Sequence, residues 1–209
     1  MECYGEVMEL LYGKQWYYLY RTQFCKIISC TLLILNFSFC SIPMPLHAIS
    51  ISHRRLVFLL VAEAPPESLD RYFYFEDVKK QDSLFLEIMG ILYPDRKRRY
   101  LLSGRETPLK KELLEQFKSD GFWLLDLSEL PCSLAGEPME DLVPSLAERM
   151  KKSISLKTPV ILLKTSVYDT CYVPLLASGF KVSSQRIPFP GSGQQRVFRE
   201  RFSKALQAC

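Results

Sequence analysis

The sequence contains few histidines and lacks the short motifs of several common enzyme classes. Only two histidines, His47 and His53, occur in 209 residues, and none of the seven cysteines forms a CxxC pair. A zinc site is therefore not expected. The chain has neither a GxGxxG fingerprint nor a GK[ST] loop, which argues against dinucleotide and nucleoside triphosphate binding. Both histidines precede the first clear strand and no GxSxG elbow occurs, which argues against a Ser/His/Asp triad.

A low glycine content and a mild net charge exclude further classes of protein. Nine glycines exclude a collagen-like or glycine-rich fibre, and a net charge of +4 excludes a histone-like tail. The 48% hydrophobic content excludes a disordered polymer, and 209 residues suffice for one full core, with or without an appendage. The cysteines are dispersed singly, which indicates a reduced, intracellular protein. We therefore expect a cytoplasmic location.

Basic residues are concentrated near the C-terminus. Residues 181–209 contain one acid, Glu200, and six basic side chains: Lys181, Arg186, Arg196, Arg199, Arg201 and Lys204. A basic face of this kind suits a phosphate-rich partner. The alternative is a solvated helix face with no partner.

Residues 27–40 form an uncharged, largely apolar run that differs from the rest of the chain. The run is shorter than the roughly 20 residues that a membrane-spanning helix needs. Its length matches the core of a signal peptide, but the region before it is long and contains three glutamates. We expect residues 1–43 to be an N-terminal extension or separate helix, and residues 44–209 to form the compact domain. A targeting or membrane segment and a true core element are the alternatives.

The chain after this segment alternates buried apolar runs with helical periods. The runs predict four strands, at 55–63, 122–128, 159–167 and 181–189. Helical periods lie between and after them, at 82–93, 106–119, 139–153, a segment ending at Gly179, and 194–207. This alternation predicts an α/β fold, a three-layer sandwich with a four-stranded parallel sheet. In such sheets the ligand crevice lies beyond the carboxyl ends of the strands.

The segment after the first strand combines a carboxylate with aromatic side chains. Glu63 follows the strand, two prolines come next, and four consecutive aromatic residues occupy 72–75. A carboxylate beside aromatic planes suits the binding of a flat base, because stacking supplies binding energy and the carboxylate can orient a water. The alternative is a solvated glutamate at a strand end, with aromatics that cap the core.

The segment after the fourth strand contains small residues before a helix. Gly191, Ser192 and Gly193 precede a helix that begins at Gln194, so backbone N–H groups there can cradle an anion. An ordinary helix entry is the alternative. Cys132, after the second strand, has no histidine placed to activate it as a nucleophile.

These motifs, in this order, resemble the uracil-DNA glycosylase superfamily. AEAPP at 62–66 is similar to the GEAPG motif of that family, and PFPGSGQQ at 188–195 occupies the place of its second motif. The aromatic run resembles the base-stacking position, and VILLKTSV resembles the third strand. The resemblance covers residues 54–206 and looks closest to members with an EAPP motif. It implies the fold of that family and cleavage of an N-glycosidic bond.

The resemblance implies a role for each matching residue. Glu63 matches the acidic residue that orients or activates the attacking water. Phe73 or Tyr74 would stack on the flipped base, and Pro65 would line the base pocket. The DNA backbone would be contacted by Ser192, Gly193, Gln194, Gln195, Arg196 and Arg199.

The chain departs from the family pattern at two motif positions. Ala62 stands in place of the first glycine, and the histidine of the second motif is absent. Three functions therefore stay open: a DNA base-excision glycosylase, a non-catalytic nucleic-acid or nucleotide-binding protein of the same fold, and a small-molecule α/β hydrolase that uses Glu63. We expect a monomer with DNA as its partner, and no cofactor, metal or iron–sulfur cluster.

Overall fold

The computed structural model describes residues 56–68, 71–80 and 82–208. The predicted extension at residues 1–43, with its apolar run at 27–40, lies outside the described residues. Within the described ranges, no helix combines the length and the apolar character needed to cross a membrane.

Four parallel strands form one sheet, which confirms the predicted α/β class. The strands are β1 (Phe58–Ala62), β2 (Phe122–Asp126), β3 (Pro159–Leu162) and β4 (Lys181–Val182). Their order across the sheet is β2-β1-β3-β4, so β1 and β3 are the central strands. Because the strands are parallel, their carboxyl ends share one edge of the sheet.

The third strand is shorter than the apolar run that predicts it. The run 159–167 predicts a strand throughout, but β3 ends at Leu162 and a helix begins at Thr165. The last part of that prediction is therefore wrong. The reason is Lys164, whose φ of 83° and ψ of 137° turn the chain out of the strand direction.

The fourth strand is also shorter than predicted. β4 pairs over two residues, whereas the prediction extends over 181–189. Ile187 rejoins the sheet through an isolated bridge to Leu163. The intervening residues are largely polar, and Pro188 has no N–H to offer a ladder, so regular pairing does not continue.

Helices follow each of the strands in the chain. They are α1 (Ser83–Leu92), α2 (Pro94–Leu102), α3 (Thr107–Ser119), α4 (Cys132–Ala135), α5 (Met139–Ser153), α6 (Thr165–Ala177) and α7 (Gln195–Gln207). The helical periods predict α1, α3, α5, α6 and α7 to within a few residues. They miss α2, because Pro94 both ends α1 and occupies the first position of α2, where its missing N–H is not needed.

Apolar side chains cover both faces of the sheet. Along β1, Leu60 and Ala62 belong to one buried cluster, while Leu59 and Val61 belong to another. The first cluster also takes residues from α1, α3 and α7, and the second takes residues from α5 and α6. A strand buried on both faces carries functional polar groups only beyond its ends, so the carboxyl edge of the sheet is where a site can form.

Two polar contacts hold the segment between β1 and α1 in place. The hydroxyl of Tyr74 accepts a hydrogen bond from the N–H of Leu124 at 2.7 Å and donates one to its carbonyl at 3.1 Å. The ammonium of Lys110 lies 3.1 Å from the carboxylate of Asp82, and both side chains are fully or almost fully buried. Burial raises the pKa of Asp82 to about 6 and lowers that of Lys110, although their mutual attraction opposes both changes.

Candidate functional site

A cleft of about 330 Å³ lies at the carboxyl edge of the sheet. Three of its polar residues follow or end neighbouring strands: Glu63 after β1, Asp126 at the end of β2, and Lys164 after β3. Its walls are largely apolar and include Pro65, Pro66, Tyr72, Phe73, Phe85, Leu124 and Phe189. The cleft therefore combines a few charged groups with flat aromatic and proline surfaces, which is typical of small-ligand sites.

Glu63 is held by contacts to two other segments. Its carboxylate forms an ion pair with the ammonium of Lys164 and accepts a hydrogen bond from the hydroxyl of Ser166 at 3.3 Å. Its backbone carbonyl accepts the N–H of Ser128 at 2.9 Å. The Glu63 side chain is 22% exposed and that of Lys164 is 37% exposed. The carboxylate is thus fixed in position and still open to a ligand or a water in the cleft.

Lys164 has an unusual backbone conformation. It and Arg105 are the non-glycine residues with positive φ in the described ranges. A side chain in this region of φ and ψ is strained, because its Cβ crowds the neighbouring backbone. The conformation ends β3 and starts α6, and it directs the lysine side chain to Glu63.

Asp126 ends β2 beside Ala62 of the central strand. Burial raises the pKa of its carboxyl to about 7, and the nearby guanidinium of Arg149 opposes this change. Arg149 also donates hydrogen bonds to the backbone carbonyls of Asp126 and Leu127, at 3.1 and 2.6 Å. Asp126 is only 3% exposed, so a small part of it faces the cleft, and burial favours the protonated form of its carboxyl.

The aromatic residues that line the cleft match only part of the prediction, which names Phe73 and Tyr74. Phe73 lines the cleft, as does Pro65, so both lie beside Glu63. Tyr74 does not line it, because its hydroxyl is bound to the backbone of Leu124 and its ring packs against the core. Tyr72 lines the cleft instead. Burial and the charge of Asp126 raise the pKa of Tyr72 well above its usual value.

The small residues after the fourth strand lie next to the cleft without lining it. Pro190–Ser192 forms a 3₁₀ turn, in which the hydroxyl of Ser192 donates to the carbonyl of Phe189 at 2.8 Å. Gly193 has a φ of 81°, and α7 begins at Gln195. Phe189, just before the turn, is 38% exposed and lines the cleft. The exposed turn residues Ser192, Gly193 and Gln194 therefore adjoin the cleft through this ring.

The two predicted DNA-binding arginines of α7 differ in their surroundings. Arg199 donates to the carboxylate of Glu87 at 3.0 Å, so its charge is already paired. Arg196 is exposed. Elsewhere in the basic C-terminal region, Arg186 forms a two-pronged ion pair with Asp169.

The sequence motifs assign no role to Lys164, Ser166, Asp126 or Phe189. All four lie near the carboxyl ends of the runs that predict the strands, and this position is the signal in the sequence that draws attention to them. Nothing in the sequence shows that Lys164 and Ser166 both reach Glu63, which lies more than 100 residues earlier.

Comparison with family models, with curated proteins and with solved structures finds no match for this chain. The described residues also contain no cluster of three or more His, Cys, Asp or Glu side chains arranged to hold a metal ion. The resemblance to the uracil-DNA glycosylase superfamily therefore rests on the sequence motifs alone.

Proposed function

We propose that this protein is a DNA base-excision glycosylase that hydrolyses the N-glycosidic bond of a damaged base flipped out of the duplex. The observation that carries the proposal is the position of Glu63. Its partly exposed carboxylate lies on the wall of a cleft whose lining is largely apolar and includes aromatic and proline side chains. The volume of about 330 Å³ lies at the small end of ligand pockets, roughly 300–1,000 Å³. It suits one base with its sugar.

Glu63 supplies the charge that this reaction needs. Cleavage of an N-glycosidic bond gives the sugar oxocarbenium character, which a nearby carboxylate stabilises. The same carboxylate orients a water toward the anomeric carbon and accepts its proton. The ion pair with Lys164 and the hydrogen bond from Ser166 hold Glu63 in one orientation for both tasks.

The base is held by the apolar walls and recognised at its edge. Tyr72, Phe73 and Phe189 provide aromatic surfaces, and Pro65 provides a further flat wall. Stacking on such surfaces tolerates different bases and contributes roughly 1–3 kcal/mol per base. Asp126 also lines this wall, and a base edge that reaches it would meet a carboxyl whose pKa burial raises to about 7.

DNA would approach along the rim formed by the turn at Pro190–Ser192 and the start of α7. The turn carries exposed backbone groups, and Arg196 on α7 is exposed. The turn directly follows Phe189, which lines the cleft, so a phosphate bound at the turn would lie beside the cleft that holds the base. The N-terminal end of α7 adds favourable electrostatics for an anion.

A hydrolase acting on free nucleosides is the second candidate. It is favoured by the ion pairs of the basic C-terminal region, where Arg199, Arg186 and Lys204 each pair with a carboxylate of this chain. A surface cation that already pairs with a carboxylate contributes less to phosphate binding than an unpaired one. In this alternative the same cleft and the same Glu63 act on a small substrate without a DNA backbone.

Base release from defined substrates tests the proposal. The full chain is assayed on single- and double-stranded oligonucleotides containing uracil, hypoxanthine or xanthine, and on the corresponding free nucleosides. Glu63→Gln keeps the shape of the side chain and removes its charge, and we expect it to lower turnover at least 100-fold with little change in DNA affinity. The matched control is Glu148→Gln, on the exposed face of α5, which should be neutral.

The outcomes separate the candidates. Release from oligonucleotides supports the glycosylase, and release from nucleosides alone supports the small-molecule hydrolase. DNA binding without release supports a non-catalytic protein. Unchanged release by Glu63→Gln would show that Glu63 is not the catalytic carboxylate.

A further inference from the structure

The backbone conformation that places Lys164 in the cleft is energetically unfavourable for a lysine. Its φ of 83° and ψ of 137° belong to a region that glycine adopts readily and other residues do not. A glycine would allow the same turn from β3 into α6 without strain. The lysine that occupies the position carries a primary amine, which lies on the carboxylate of Glu63 and is 37% exposed in the cleft.

The contact between the two side chains determines what the amine can reach. In the proposed function, Glu63 directs a water to the anomeric carbon of the bound sugar. Nζ of Lys164 is in direct contact with Glu63, so it lies close to the same carbon. Once the base has left, the sugar opens to an aldehyde at that carbon. A lysine amine with an adjacent proton acceptor is suited to react with an aldehyde.

We propose that Lys164 is a second nucleophile of this cleft, which forms an imine with an abasic site and cleaves the DNA strand on its 3′ side. The inference rests on the proposed function, because it takes the cleft to hold a deoxyribose of DNA. It adds a separate activity, strand cleavage at abasic sites.

The first step joins the lysine to the sugar. Glu63 accepts a proton from the Lys164 ammonium, and the free amine adds to the aldehyde carbon C1′. The resulting carbinolamine takes the proton back from Glu63 and loses its hydroxyl as water. The products are a protonated imine, one water and the Glu63 carboxylate.

The second step breaks the strand. The Glu63 carboxylate removes a proton from C2′, and the electron pair of that C–H bond moves into the protonated imine. Its return expels the 3′ phosphate from C3′ by β-elimination. Glu63 passes the C2′ proton to the departing phosphate and returns to the carboxylate, and addition of water to the protonated conjugated imine releases an unsaturated aldehyde and restores the lysine ammonium.

Reductive trapping on a preformed abasic site tests this activity directly. The full chain is mixed with a duplex oligonucleotide whose single abasic aldehyde was made beforehand, and sodium borohydride is added. Hydride reduces an imine to a stable secondary amine, so a covalent protein–DNA adduct appears on a denaturing gel. Peptide mass spectrometry of the wild-type adduct identifies the modified lysine, and we expect Lys164. Without borohydride, we expect the 3′ product of β-elimination.

Two variants make the test specific. Lys164→Arg keeps the positive charge beside Glu63 but has no nucleophilic amine, and it should lower adduct yield and strand cleavage at least 10-fold. Lys157→Arg is the matched control, because Lys157 is an exposed lysine just before β3, at the opposite edge of the sheet. This variant should trap as well as the wild type.

The preformed abasic site separates this proposal from the glycosylase activity. An adduct at Lys164 supports the lyase even if the protein releases no base from the substrates above. No adduct in the wild type, an adduct that maps to other lysines, or full trapping by Lys164→Arg would overturn the proposal. Base release without trapping would leave the glycosylase standing and refute the lyase alone.

Discussion

Replacing Lys164 with glycine should leave the fold as stable as the wild type or slightly more stable, while it removes the amine from the cleft. The positive φ of Lys164 imposes strain of roughly 1–3 kcal/mol on a residue with a Cβ. Glycine removes that strain. It also loses more conformational entropy on folding, which costs about 0.4–1 kcal/mol. The ion pair with Glu63 is lost, and because both side chains are partly exposed its contribution is only about 0.2–1 kcal/mol.

Lys164→Ala is the variant that isolates the strain. It loses the same ion pair as Lys164→Gly but keeps a Cβ at the strained position. The glycine variant should therefore exceed the alanine variant by about 1 kcal/mol in free energy of unfolding, and should equal or slightly exceed the wild type. The alanine variant should be less stable than the wild type.

Urea denaturation of the full chain, followed by far-UV circular dichroism, measures these differences. With a urea dependence of about 2 kcal/mol per molar, a difference of 1 kcal/mol moves the midpoint by about 0.5 M. Equal midpoints for the glycine and alanine variants, or a higher midpoint for alanine, would refute the argument that Lys164 is strained. The lysine would then need no functional explanation for its backbone conformation.

Two further predictions concern DNA contact and pH. Arg196→Ala should weaken DNA binding and reduce the slope of log K against log salt by about 1. Arg186→Ala should change this slope less, because Arg186 already pairs with Asp169. Binding titrations at several salt concentrations measure both slopes, and an unchanged slope for Arg196→Ala would place the DNA elsewhere. Burial raises the pKa of Asp126 from 3.8 to about 7, so the folded protein binds more protons than the unfolded chain between these values, and the stability contributed by this group falls as pH rises from about 4 to 7. Asp126→Asn has no such group, so the free energy of unfolding of this variant minus that of the wild type should increase by at least about 1 kcal/mol between pH 4.5 and pH 7. Urea unfolding at the two pH values measures it. A difference that does not change with pH would contradict the raised pKa of Asp126.

Much of the fold follows from local pattern. Continuous apolar runs at 55–63, 122–128 and 159–167 predict strands buried on both faces, and helical periods between them predict crossovers, so the parallel sheet is deducible from the sequence. The rule that ligands bind beyond the carboxyl ends of such strands also directs attention to Glu63. The strands and helices are deducible because strand burial and helix amphipathicity leave their periods in the chain.

The lengths of the strands, and which residues line the cleft, depend on tertiary structure. The run at 159–167 is apolar enough to continue as a strand, but the backbone at Lys164 turns into α6. Tyr72, Phe73 and Tyr74 are chemically similar neighbours. Tyr74 is excluded from the cleft because its hydroxyl binds the backbone of β2, a contact 50 residues away in sequence.

The sequence by itself determined the parallel α/β architecture and the position of Glu63 at the carboxyl edge of its central strand. The partners of Glu63 were decided only when the strands assembled. Lys164 is 101 residues away along the chain and Ser166 is 103, and they reach the carboxylate because β1 and β3 are adjacent in the sheet. No local period encodes which strands become neighbours, since that order is set by the packing of all helices against both faces of the sheet at once.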